Sequence, residues 1–175
     1  PNLVRRNLTA ARPDRVWVGD VSHIPTREGW LYLAVLIDLY SLQVVGWSMG
    51  QRNDTDLLLE ALNMAITQRR PPPGLIHHSD QGRTYAGKAY QQRLVEAGMN
   101  PSMSRKGDCW DNAVAESFFA TLEFELIEQQ VFPSRNGAKV AIFEFIEVFY
   151  NRQRSHQTLA YKTPRKVEQE YRCVA

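Results

Sequence analysis

The sequence predicts a mixed α/β domain, with one five-stranded sheet built from a three-strand antiparallel meander plus parallel strands and flanked by helices. Three observations predict it. Three runs rich in aromatic and β-branched residues follow one another within residues 15–50, separated only by "PTREG" and "SL". Strand and helix patterns alternate from residue 54 onward. The run "LYLAVLIDLY" is apolar at both odd and even positions, as expected of a strand covered on both faces.

A polar lead-in, residues 1–14, precedes the first strand. The meander strands are "RVWVGDVSHI", "WLYLAVLIDLY" and "QVVGWSMG". Asn53 or Asp54 caps a helix through "DTDLLLEALNMAITQRR", which ends in basic residues and the stop signal "PPPG". A short strand "LIHHSD" follows, then a helix "AGKAYQQRLVEAG" ending on Gly98, a brief strand around "PSMS" and a polar loop "RKGDCWDN". The next helix carries "DNAVAESFFATLE". At 100° per residue Val114, Ala115, Phe118, Phe119, Leu122 and Leu126 gather on one side of it. Glu116 lies at the margin of that stripe, and Glu123 falls two turns above it. A last helix covers "GAKVAIFEFIEVFYN". Residues 15–150 form the core, and residues 151–175 are a basic extension packed on it, interrupted by Pro164. This order of elements resembles the ribonuclease H-like fold, an analogy that fixes no function by itself.

A chain of 175 residues is long enough for one domain with a sizeable core. Hydrophobic residues at 43% and charged residues at 23% exclude a disordered chain. The net charge of +2 neither demands nor excludes a polyanionic partner, so its distribution matters more than its sum. The longest apolar run is about half a membrane span and contains Asp38, so no membrane association is expected. Cys109 and Cys173 form no CxxC, and two reduced thiols in a cytoplasmic protein are the expectation. The start at Pro1 rather than Met is expected of a fragment or excised domain.

Asp20 lies in the first strand and Asp80 ends the fourth. With those strands adjacent and parallel, both carboxylates point out near one end of the sheet, and a helix beside that end can add Glu116. Three convergent carboxylates repel unless a cation sits between them. Hard oxygen ligands select Mg²⁺ or Mn²⁺. Two such ions about 4 Å apart can activate an attacking hydroxyl and stabilise a leaving oxygen at one phosphorus. A chain with 19 acidic residues offers many triplets, so spacing alone identifies none.

The stretches "WVGDVSHIPT", "GWLYLAVLIDLYSLQVVGWSM", "GLIHHSDQG", "SMSRKGDCWDNAVAESFFATLE" and "FYNRQRSHQTLAYKTP" cover nearly everything from Trp17 to Pro164. In combination they resemble the catalytic core of bacterial insertion-sequence transposases of the DDE type, whose core is similar to retroviral integrases. In that family thirty-five residues separate the second Asp from the Glu, and residues 81–115 supply that interval here. The resemblance implies that Asp20, Asp80 and Glu116 are catalytic and bind two Mg²⁺ or Mn²⁺ ions. It also implies metal-dependent cleavage and strand transfer at the ends of a mobile element. DNA ends and target DNA are then the partners, a homo-oligomer on DNA is expected, and the protein acts in the bacterial cytoplasm at the nucleoid. End recognition is expected from an N-terminal helix-turn-helix region not seen before Pro1. Two other readings share the carboxylates or the fold: a ribonuclease H-like nuclease, and a degenerate remnant that only binds nucleic acid.

The chain departs from the family pattern at Glu123, where a Lys or Arg usually follows the catalytic Glu by seven residues. A basic side chain there can reach a DNA phosphate, and Glu123 repels it. Candidate DNA contacts are Arg105 and Lys106, beside Gly107, and Arg152, Arg154, His156 and Lys162 among Tyr150 and Tyr161. For His77, His78 and Asp38 the reading is packing or hydrogen bonding; for Asp108 and Asp111, backbone capping; for Trp110, loop packing.

Overall fold

The computed structural model describes residues 1–5, 7, 9–104 and 112–175. Its sheet has five strands in the order β3-β2-β1-β4-β5. β1 (Val16–Thr26), β2 (Gly29–Asp38) and β3 (Val44–Gly50) form the expected antiparallel meander. β4 (Ile76–Ser79) and β5 (Asn100–Met103) add parallel strands on the other side of β1.

Helices cover both faces. α1 (Thr55–Arg69) starts where the Asp54 carboxylate accepts the Leu57 N–H, and α2 (Lys88–Glu96) stops before Gly98, whose φ of +69° favours glycine. Both pack on the face that carries Trp17, Ala34, Leu36 and Val45. α3 (Ala113–Glu125) and α4 (Arg135–Glu144) cover the opposite face, placing Phe118, Leu122 and Ile142 against Val18, Leu33, Val35 and Ile37. Side chains alternate along a strand, so even-numbered Val16 and Val18 meet the α3 side while Trp17 meets α1 and α2. Fully buried Leu58 and Leu62 each contribute about 1.5–3 kcal/mol of burial on the α1 side. α1 lies so close to β3 that a Cβ on Gly46 would stand 2.4 Å from the Ala61 carbonyl oxygen.

Beyond α4 the chain runs through a π-helical segment, Phe145–Tyr150, whose Phe145, Ile146 and Tyr150 join the α3-side core. The sequence expectation of an uninterrupted helix over 137–151 is corrected here. A second correction concerns Pro164. It does not interrupt the C-terminal segment but opens α5 (Pro164–Val174), with the Thr163 hydroxyl capping Lys166 N–H. α5 is tied to the body by Glu168, which is 5% exposed. The lead-in also packs on the sheet: Leu3 N–H donates to Ser102 Oγ, and Val4 is buried.

Candidate active site

β1 and β4 run parallel with Val16 opposite Ile76 and Val18 opposite His78. Extending that register two residues brings Asp20 level with Asp80, which follows β4 directly. Asp80 follows the carboxyl end of β4, where open α/β sheets place their ligands, and Asp20 stands beside it about midway along β1, just past the residues that pair with β4. Even parity puts both on the α3 side. Glu116 stands in the first turn of α3.

Asp20 is half-buried. Burial pushes its carboxyl up to about 6, opposed by the Val21 N–H bond. The charges of Asp80 and Glu116 raise it further, and a hydrogen bond from the Asn112 side chain lowers it. The Val21 bond, to Asp20 Oδ1, is 2.8 Å long. Asp80 is exposed, and its Oδ1 accepts the Gly82 N–H at 2.8 Å. A Cβ on Gly82 would stand 2.8 Å from that same oxygen, so a larger residue there would push the Asp80 carboxylate aside. Glu116 is exposed.

Asn112 was not among the residues singled out from the sequence. It is 8% exposed at the start of α3 and spends its side chain on Asp20 rather than on the helix's own N–H groups. Its Oδ1 is buried without a hydrogen-bond partner. Among the described residues, no three His, Cys, Asp or Glu side chains stand close enough as placed to hold a metal ion. The donor set nevertheless fits Mg²⁺ or Mn²⁺. Three carboxylates interact through their charges, two of them are exposed, and an orphaned amide oxygen stands beside them, all hard oxygen ligands.

Behind this site His77 Nε2 and the Tyr90 hydroxyl are 2.8 Å apart, and burial pushes His77 down to about 4. His78 Nδ1 pairs with Ser102 Oγ at 2.8 Å. Both histidines are structural, as the sequence reading has them. Asp38 is also structural: it is buried and accepts N–H groups from Asp14 and Ser41.

The candidate DNA contacts separate. Arg105 and Lys106 lie outside the described residues, as do Asp108, Cys109, Trp110 and Asp111. Arg154 pairs with Glu125 at 3.0 Å, and Lys162 with Glu170. His156 packs edge-on against Tyr150, and burial pushes it down to about 4, with Arg154 adding to the effect. Arg152 is exposed and makes no ion pair among the described residues. Glu123 is exposed on α3. Cys173 is free and exposed. No helix among the described residues is long and apolar enough to cross a membrane.

Residues 10–109 match the family model described as integrase core domain, and residues 97–164 match a second model of that description. The chain is 46% identical over 168 residues to the transposase for insertion sequence element IS904 of Lactococcus lactis subsp. lactis (strain IL1403), covering 96% of this chain and 66% of that protein. It is 42% identical over 167 residues to transposase InsF for insertion sequence IS3A of Escherichia coli (strain K12), covering 95% and 58% respectively. The chain thus spans less than two thirds of these relatives' length. Among solved structures, the HTLV-2 integrase catalytic core domain in complex with magnesium (dimeric form) superposes with a TM-score of 0.66 at 18% identity. That match covers 90% of this chain and 98% of that one. A chain of the simian T-cell lymphotropic virus intasome in complex with PP2A regulatory subunit B56 gamma gives 0.74 at 19%, covering 91% and 56%. The shared architecture is the ribonuclease H-like fold of these integrase cores.

Proposed function

The chain belongs to the integrase core domain family, and from that premise we propose that it is the catalytic domain of an insertion-sequence transposase, cutting and joining DNA at the ends of a mobile element. The observation that carries this reading is the charge interaction of three chain-distant carboxylates around Asp20. Asp20, midway along β1, feels the charges of both Asp80, just past the end of β4, and Glu116 in the first turn of α3. Transposase names among the relatives support it, and the magnesium in the HTLV-2 core supports divalent-cation use.

Asp20, Asp80 and Glu116 would hold a pair of divalent cations, with Asn112 Oδ1 turned to the same region. Bound there, the cations supply Lewis acidity at the scissile phosphorus. The chain's own part is preorganisation. Val21 N–H and the Asn112 amide fix the Asp20 carboxylate, and Gly82 N–H fixes Asp80, so neither has to be ordered when DNA arrives. A water attacks the phosphorus and breaks its P–O3′ bond, freeing a 3′-hydroxyl and leaving the phosphate on the 5′ end; that hydroxyl then attacks the phosphorus of a second phosphodiester, whose own 3′-oxygen departs as a new 3′-hydroxyl. No protein nucleophile takes part. His77, buried behind the site, is neutral and held by Tyr90. On the DNA, two or more copies would hold two ends.

The test uses labelled DNA carrying the sequences that flank this reading frame, incubated with Mg²⁺ beside an Asp80→Ala control. Nicked and joined products are expected from the unaltered chain and neither from the variant. Nicks alone would identify a hydrolytic nuclease, and no products a DNA-binding remnant. Both products from the variant would refute the triad.

A further inference from the structure

The C-terminal arginines fall into two groups that the sequence does not separate. Arg154 is spent on Glu125, whereas Arg152, Arg165 and Arg172 surround a cleft of about 250 Å³ between α5, the start of β3 and the end of α1. Its floor is ionic and closed. Arg69, its side chain 6% exposed, grips both Glu168 oxygens through its two terminal nitrogens and Asp14 Oδ1 through Nε at 2.9 Å. Ser41 Oγ donates to Glu168 Oε1 at 2.7 Å, and the lining Glu147 accepts the Trp47 indole N–H at 2.8 Å. The carboxylates of the cleft are therefore engaged below, while its rim is cationic.

The rim guanidiniums are left to solvent. Arg152 and Arg165 are exposed and make no ion pair among the described residues. Arg172 has a side chain 73% exposed and touches Glu168 only at 3.9 Å. Arg165, Gln169 and Arg172 follow one another at i, i+4 and i+7 on α5, a stripe about 10 Å long. That length matches about three base-pair rises of 3.4 Å. Arg165 N–H donates to the Asn151 carbonyl at 2.9 Å, which fixes the stripe beside Arg152.

We propose that this arginine-rimmed cleft is a second phosphate-binding surface, which holds a stretch of DNA backbone away from the carboxylate site. This rests on the reading of the chain as a DNA-processing enzyme. The cleft lies at the start of β1 and the carboxylate site about midway along it. Asp14, bound to the floor, precedes the strand, and Asp20 is six residues along, roughly 20 Å at strand rise. A duplex gripped here is held about six base pairs of rise from the phosphate being cut. An open rim of separate guanidiniums suits a repeating phosphodiester better than a single enclosed anion.

The test is binding of a fluorescein-labelled duplex to the full chain in EDTA, over a salt series, for the unaltered protein and for Arg152→Gln/Arg165→Gln. Thermal melting serves as the check on folding. The slope of log K against log salt should shrink by about two units in the double variant and by nearly three when Arg172→Gln is added. An unchanged slope overturns the proposal. An unchanged slope with a lower sedimentation mass would assign the rim to a second copy of the chain. Stabilisation by inorganic phosphate that only the variant loses, without a slope change, would assign it to a small anion; both outcomes count against DNA. Because the assay contains no metal, it separates the two readings. A lost slope in a protein that neither nicks nor joins leaves the cleft standing without the transposase, and the reverse result does the opposite.

Discussion

Asn112 is the residue through which α3 grips the first carboxylate. Its hydrogen bond lowers the Asp20 pKa and its Oδ1 has no partner, so the amide nitrogen is the donor to the carboxylate. Removing that donor disfavours the ionised form. In Asn112→Ala, carboxyl NMR of the metal-free protein should show Asp20 titrating above its present value of about 6. In Asn112→Asp it should titrate higher still, because a fourth carboxylate joins the group. A midpoint that stays in place would show that the amide does not bear on Asp20. The three carboxylates proposed as the triad could be named from the sequence, because family-like motifs single out Asp20, Asp80 and Glu116 by their surroundings in the chain. Asn112 was not. An asparagine closing a polar loop reads as a turn residue, and only tertiary packing buries it against β1. Charge pairing was equally hidden: Arg154 and Lys162 look like free cations until the fold supplies Glu125 and Glu170.

β3 shows how an element at the edge of the sheet is closed. An unpaired strand edge presents backbone groups to any passing chain. Here the Asn151 side chain behaves as a short length of strand. Its Oδ1 accepts Val44 N–H at 2.9 Å and its Nδ2 donates to the Val44 carbonyl at 3.0 Å. The register shifts between Leu36 and Ile37, so Val45 has no partner, and further along the Trp47 N–H meets the Met64 sulfur at 3.4 Å. Asn151→Ala leaves two buried backbone groups without partners and should cost about 3 kcal/mol in urea unfolding. A loss below about 0.5 kcal/mol, the scale of an ordinary surface substitution, would mean that water replaces the amide. The strands of the meander and a cap at Asn53 or Asp54, which the structure gives to Asp54, were readable because periodicity and capping are local signals. The π-helical segment was not, since an extra residue in a turn leaves the apolar pattern of Phe145 to Tyr150 nearly unchanged. α5 was missed because a proline within a basic tail reads as a break, although Thr163 before it is a capping residue. With α5 went the arginine stripe it displays.

At the scale of the whole molecule, two opposed sets of titrations are buried in one fold. Burial first, against their hydrogen bonds, pushes Asp20 and Asp38 from 3.8 up to about 6. Each therefore favours the folded state at low pH and loses that contribution as pH rises through about 6; for fully buried Asp38 this is roughly 3 kcal/mol. Burial pushes His77 and His156 from 6.5 down to about 4. The unfolded chain then takes up protons that the folded one refuses, so these two lose stability as pH falls below 6.5. The pairs oppose one another, and the melting midpoint of the metal-free protein should change little between about pH 4 and 6.5. A divalent cation at the Asp20 end breaks the balance, because it binds the ionised carboxylates and competes with their protons. Mg²⁺ should therefore raise the midpoint only slightly near pH 5 and progressively more toward about pH 7.5, by the linkage of ligand affinity to folding. Asp80→Ala should lose the Mg²⁺ increment at every pH and keep a shallow metal-free profile, since Asp38 and both histidines are untouched. A Mg²⁺ increment independent of pH would place the cation away from Asp20. A steep metal-free profile would mean that one set of buried groups is ionised in a way this fold does not allow.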